Sequence, residues 1–75
     1  MTPDLDKIVY TTLGNNVKAK REAKGLNLRE LAAICDVDHS KIGAIELGKL
    51  NCKINTILKI AKGLETPLNE LFKPY

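Results

Sequence analysis

Cys35, Cys52 and the single histidine, His39, are the side chains of the types that hold metals or attack substrates. Two thiols and one imidazole do not fill a structural zinc shell. Cys35 also falls at helical spacing with Leu28, Leu31 and Ala32, where a thiol serves as a small buried apolar group. Covalent catalysis would need a nucleophile, a base and an orienting acid on separated elements, and phosphate chemistry a glycine-rich loop. The sequence offers neither, and no paired-carboxylate cleft. The expectation is therefore no metal, no cofactor and no enzyme. What remains is a polar run, His39-Ser40-Lys41, directly after Asp38, with Lys49, Asn51 and Lys53 further on. Imidazole, hydroxyl, amide and ammonium groups at an exposed helix start suit hydrogen bonding and charge pairing, not bond breaking.

Groups of this kind act only if rigid elements hold them, and the chain reads as short helices with punctuation between them. Thr2-Pro3-Asp4 is a helix-start signal, and Leu5, Ile8, Val9, Leu13 and Val17 recur at helical spacing after it. Thr11 to Gly14 is expected to interrupt this pattern. That would leave a partly helical lead-in over residues 1–12 and a single domain over 13–73, whose first helix ends near Lys24 before Gly25. Asn27 can cap the next helix and Glu30 can reach back to it. Leu28, Leu31, Ala32 and Cys35 then share a face, and Asp36 ends the element. Asp38 caps a third helix, with Ile42 and Ile45 as its buried pair and Gly48 as its stop. A loop leads to a fourth helix carrying Ile54, Ile57, Leu58 and Ala61, with Gly63 near its end. Thr66-Pro67 opens a fifth, with Leu68, Leu71 and Phe72, and Pro74 stops it. The expected class is all-α, compact, with five helices and no strands.

Composition agrees. The chain has 75 residues, enough for one domain, of which 44% are apolar and only 4% aromatic, so the core must be aliphatic. A chain this short buries only ~60% of the surface its unfolded form exposes. Twelve basic residues against nine acidic ones give +3, with a pI near 9.0, which permits a polyanionic partner without requiring one. No apolar run approaches membrane-spanning length, and the opening residues are polar and acidic, unlike a secretory leader. A reducing cytoplasm is the expected compartment.

Residues 28 to 47 join two short helices through a tight turn of Asp36-Val37-Asp38. Small Ala32 stands where the helices must approach, Val37 fills the angle between them, and Ile42 and Ile45 anchor the second on the first. This spacing builds a helix-turn-helix, whose second helix can lie in a major groove. From Leu13 to Phe72 the chain resembles the lambda-repressor-like, Xre-type (Cro/C1-type) DNA-binding family. The residues that carry the resemblance are Leu13-Gly14, Val17, Arg21 and Gly25-Leu26, then Leu31-Ala32 and Val37. They continue through Ile42, Ile45-Glu46 and Gly48 to Asn51, the Ile54 to Ala61 helix and Leu68 to Phe72.

The resemblance implies duplex DNA as partner, transcriptional regulation, most often repression, and a homodimer on a two-fold operator. It implies that His39, Ser40 and Ala44 face base edges, with Lys41 and Gly43 beside them. Ala44 could touch only a thymine methyl, which suggests A·T-containing half-sites. It implies backbone contacts from Asn27, Leu28 and Arg29 at the start of the second helix, and from Lys49, Asn51 and Lys53 in a second clamp. Arg21 and Glu46 are implied to form a structural ion pair. Five positions depart from the family pattern. Leu28 stands where glutamine is usual, Asp36 replaces the turn glycine, Leu47 and Leu50 each replace a common basic residue, and Cys52 stands where proline is frequent. Leu28, Leu47 and Leu50 could instead form an apolar patch. The alternative is thus a protein-interaction module or antitoxin-like subunit, with a protein partner and little DNA binding. The last two helices carry more apolar residues than one stripe needs, so a dimer contact is expected at Ile60, Leu64, Leu68, Phe72 and Tyr75.

Overall fold

The computed structural model describes residues 5–49 and 52–73. In chain order the helices are α1 (Leu5–Ala23), α2 (Leu28–Cys35), α3 (His39–Glu46), α4 (Ile54–Gly63) and α5 (Leu68–Leu71). Among the described residues there is no strand. The signals Thr2-Pro3-Asp4 and Pro74, and the loop residues Leu50 and Asn51, lie outside the described residues.

The core is aliphatic, as the scarcity of aromatic residues requires. Leu13 and Val17 of α1, Leu31 and Cys35 of α2, Ile42 and Ile45 of α3, Ile57, Ile60 and Ala61 of α4, Leu64 and Leu71 pack into one cluster. Six of these (Val17, Leu31, Ile42, Ile60, Leu64 and Leu71) are at most 1% exposed. α1 differs from the sequence expectation at its start. It is one unbroken helix through Thr11 to Gly14. Its first apolar residues, Leu5, Ile8 and Val9, are exposed, while Leu13 and Val17 are buried. The apolar repeat therefore runs on beyond the end of the core.

Local chemistry sets the helix ends. Asn27 Oδ1 accepts from the Glu30 amide at 2.8 Å and the Asn27 amide donates to Glu30 Oε1 at 2.8 Å, so the capping box closes. Asp36 takes φ 57° and turns the chain out of α2, with its amide donating to the Ala32 carbonyl. The glycine usual at this turn is thus replaced by a residue type that tolerates the left-handed region. Gly25 at φ 69° and Gly48 at φ 71° close α1 and α3. At the end of α4 the left-handed residue is Glu65, φ 53°, not Gly63.

Gly63 serves packing instead. A Cβ there would fall on Cys35 Sγ, so α4 lies against α2 only because that position has no side chain. Gly14 does the same between α1 and α3, where a Cβ would fall on the Ile45 carbonyl oxygen. Buried Asn16 closes the far end. Its Nδ2 donates to the Leu71 and Lys73 carbonyls, each at 2.8 Å, and so satisfies orphan groups where α5 ends.

Candidate nucleic-acid interface

The helix expected to carry recognition starts at His39, and its geometry begins one residue earlier. Asp38 is the N-cap: its Oδ1 accepts from the Ser40 amide at 3.0 Å and from the Ser40 hydroxyl at 2.9 Å. His39 Nδ1 stands 3.7 Å from the same oxygen, close enough to pair when the imidazole is protonated. The Ser40 amide, then the Ser40 hydroxyl, hold the Asp38 carboxyl below its ordinary value, so it is anionic at neutral pH. Ser40 and Lys41 are exposed and His39 is half-exposed. Ile42 and Ile45 turn inward, which leaves the start and one flank of α3 outward.

Gly43 and Ala44 lie on that flank, half-buried. Leu28 is placed differently from a residue that reaches for a phosphate. It is half-buried against the core, with Cδ1 3.6 Å from where a Gly43 Cβ would stand. Leu28 therefore packs on the core beside α3, and its side chain offers the DNA backbone no polar group. Asn27 and Arg29 beside it are exposed. The capping box consumes the Asn27 and Glu30 amides, so the donors left at this helix start are the Asn27 side-chain NH₂ and the Leu28 and Arg29 amides. Lys49 and Lys53 are exposed on the chain either side of the undescribed Leu50 and Asn51. Lys53 stands at the N-cap of α4 and makes no side-chain cap. The Thr56 amide bonds the Lys53 carbonyl, and the Ile54 and Asn55 amides are left to an outside acceptor.

Behind this face, Arg21 fixes α3 to α1. Its Nε donates to Glu46 Oε2 at 2.7 Å and its Nη2 to Glu46 Oε1 at 3.0 Å. Its third arm, Nη1, donates to the Leu26 carbonyl at 2.8 Å. The side chains are 13% and 7% exposed, so this bidentate pair is largely out of water. The Glu46 hydrogen bonds raise the Arg21 guanidinium further above its ordinary value. Leu47, at the end of α3, is 70% exposed beside Leu28, Gly43 and Lys18.

Two expectations fail on burial. Ile60 and Leu64 are each 1% exposed and belong to the core, so neither has a surface to give a second copy. The core stripe of α4 is Ile57, Ile60, Ala61 and Leu64, the i, i+3, i+4, i+7 pattern. Ile54 and Leu58 are the residues left outside. Leu68 is half-buried against the core, Phe72 is 37% exposed, and Tyr75 lies outside the described residues. The roles of Asp38 and Asn16 were not foreseen beyond a cap and a helix residue. The pairing of Asp38 with Ser40 was readable as a cap followed by a hydroxyl two residues on. Asn16 gave no signal, because its partners are 55 and 57 residues away.

Comparison with known proteins gives the same picture. A helix-turn-helix family model, HTH_3, matches residues 17–71. No curated protein matches the chain. Among solved structures, the restriction-modification controller protein C.AhdI from Aeromonas hydrophila is 35% identical over 84% of this chain and 96% of its own, with a TM-score of 0.81. An HTH_3 family transcriptional regulator from Vibrio cholerae is 33% identical, with a TM-score of 0.84, over 89% of this chain and 38% of its own. A hypothetical transcription factor, NHTF, from Neisseria is 28% identical over 99% of this chain and 84% of its own, with a TM-score of 0.85. With α2 and α3 set as a helix-turn-helix and an exposed polar start to α3, the chain belongs to the HTH_3 (Cro/C1-type) helix-turn-helix family of DNA-binding transcription regulators.

Proposed function

We propose that this protein is a repressor that binds a two-fold operator as a homodimer. α3 lies in the major groove, His39, Ser40 and Ala44 face the base edges, and Lys41 and Gly43 stand beside them. Asn27, Arg29, Lys49, Asn51 and Lys53 meet the sugar-phosphate backbone. The observation that carries the reading is the outward start of α3, braced from behind by the Arg21–Glu46 pair, with Leu28 packed beside it. A helix with so few strong base readers specifies a short half-site, and a second copy doubles the sites read and the phosphates met. Repression needs only occupancy of the promoter. With Ile60 and Leu64 interior, the dimer contact is Ile54 and Leu58, one turn apart on α4, with Phe72.

The alternative, a protein-binding module on the same fold, is favoured by one observation, the 70% exposure of Leu47 where a basic residue is common. Salt separates the two. Fluorescence anisotropy with the duplex upstream of the protein's own gene and a scrambled duplex, at low and physiological salt, is the test. The operator reading expects preference for the first duplex and a steep loss of affinity with salt. No preference at either salt would leave the interaction module.

A further inference from the structure

Serine is the least informative base reader, because a hydroxyl carries one donor hydrogen and two acceptor lone pairs and can suit either kind of base edge. In this protein that ambiguity is removed. The Ser40 hydroxyl lies 2.9 Å from Asp38 Oδ1, and the Ser40 amide holds the same oxygen at 3.0 Å. A carboxylate only accepts. The hydroxyl must therefore donate its one hydrogen to Asp38, and only its lone pairs face outward. In the major groove, lone pairs meet a donor at adenine N6 or cytosine N4, and are repelled by guanine O6 and N7 and by thymine O4.

We infer that Asp38 is a specificity-setting positioning residue: by taking the Ser40 hydrogen it makes this position an acceptor-only reader that selects adenine or cytosine at one base of each half-site. The inference rests on the operator reading above. It goes beyond the family position of Ser40, which leaves the polarity of the hydroxyl undetermined. Asp38 need not touch DNA for this. Its charge opposes the phosphates, so it costs affinity while it narrows choice, a trade by which specificity is often obtained.

The test is selection of a randomised duplex library by the full chain and three variants, with thermal melting to verify that each folds. Asp38→Gly removes the acceptor and leaves a residue type that is still tolerated at an N-cap. Asp38→Asn keeps an acceptor oxygen and removes the charge. Ser40→Ala removes the reader. The wild-type chain should enrich adenine or cytosine at one half-site position by about three- to tenfold, the worth of one neutral hydrogen bond. Ser40→Ala and Asp38→Gly should both lose that preference, the latter by admitting guanine and thymine. Asp38→Asn should keep it and bind all duplexes more tightly at low salt. A wild-type profile in folded Asp38→Gly or Ser40→Ala would overturn the inference while leaving the operator reading intact. So would loss of the preference in Asp38→Asn, since charge and not the acceptor would then decide. A wild-type chain that enriches no sequence would overturn the operator reading and this inference with it.

Discussion

At the scale of single residues, Gly43 stands where nothing inside the protein asks for glycine. A Cβ there would make only ordinary contact with Leu28 Cδ1 at 3.6 Å. Glycine in a helix interior costs about 1 kcal/mol against alanine. Gly43→Ala should therefore raise stability by about that amount, read as a higher melting temperature, and should weaken DNA binding if the groove wall approaches there. Unchanged affinity would remove Gly43 from the interface. Among the described residues, Asp36 and Glu65 hold left-handed backbone without being glycine. Aspartate's short polar side chain eases that conformation and glutamate's does not. Glu65→Gly should stabilise by up to about 1 kcal/mol and Asp36→Gly by less, compared as urea midpoints. The pair lost between Lys24 and Glu65 is exposed, so it offsets little. The reverse order would show that Asp36 is the strained residue.

Between elements, the fold depends on the close approaches at Gly14 and Gly63 and on the Arg21–Glu46 ion pair. Arg21→Ala would leave the Glu46 carboxylate, 7% exposed, without its guanidinium. Stranding a buried charge costs about 3 kcal/mol, a large share of what so small a domain has. Replacing both residues, Arg21→Met with Glu46→Leu, should recover most of it in denaturant unfolding. If the double variant is as weak as the single, the stranded charge is not the cause. Gly63→Ala should also destabilise, because its methyl would meet Cys35 Sγ. With Cys35→Ala present the methyl gains room, so the two changes should couple by at least ~0.5 kcal/mol. Strict additivity would mean that α4 shifts away from α2 instead. The existence and order of α2 to α5 were legible in the sequence, since capping residues, periodicity and turns are local. The role of Gly63 was not. A glycine near a helix end reads as a stop, and only the sulfur across from it shows otherwise.

For the molecule as a whole, the prediction concerns salt. Each phosphate contact contributes ~0.9 to the slope of log affinity against log salt. Lys41→Ala, Lys49→Ala and Lys53→Ala should each flatten the slope by about that much and leave base preference unchanged. A variant with the wild-type slope would identify its lysine as a solvated surface charge. The described surface also carries exposed Leu5, Ile8 and Val9 at the start of α1, Ile34 on α2, and Ile54 and Leu58 on α4. No described helix is long and apolar enough to cross a membrane. Concentration-dependent sedimentation of the wild-type chain against Leu58→Glu is the direct check of the α4 contact proposed for the dimer.

The sequence by itself determined the class, the succession of the helices from α2 onward, and the helix-turn-helix. Those rest on interactions a few residues long: the Asn27–Glu30 box, the Asp38 cap, the turn at Asp36 and the inward pair Ile42 and Ile45. It also placed the Arg21–Glu46 pair, through family resemblance. The tertiary structure decided which of several apolar faces is inside. α4 and its C-cap carry Ile54, Ile57, Leu58, Ile60, Ala61 and Leu64, more than one stripe can hold, and only their neighbours select 57, 60, 61 and 64 for the core. It likewise decided that α1 runs on past the core, that Asn16 seals α5, and that Leu28 packs inward. Periodicity states that a face is apolar, but burial depends on what stands opposite, and that is fixed by residues far away in the chain.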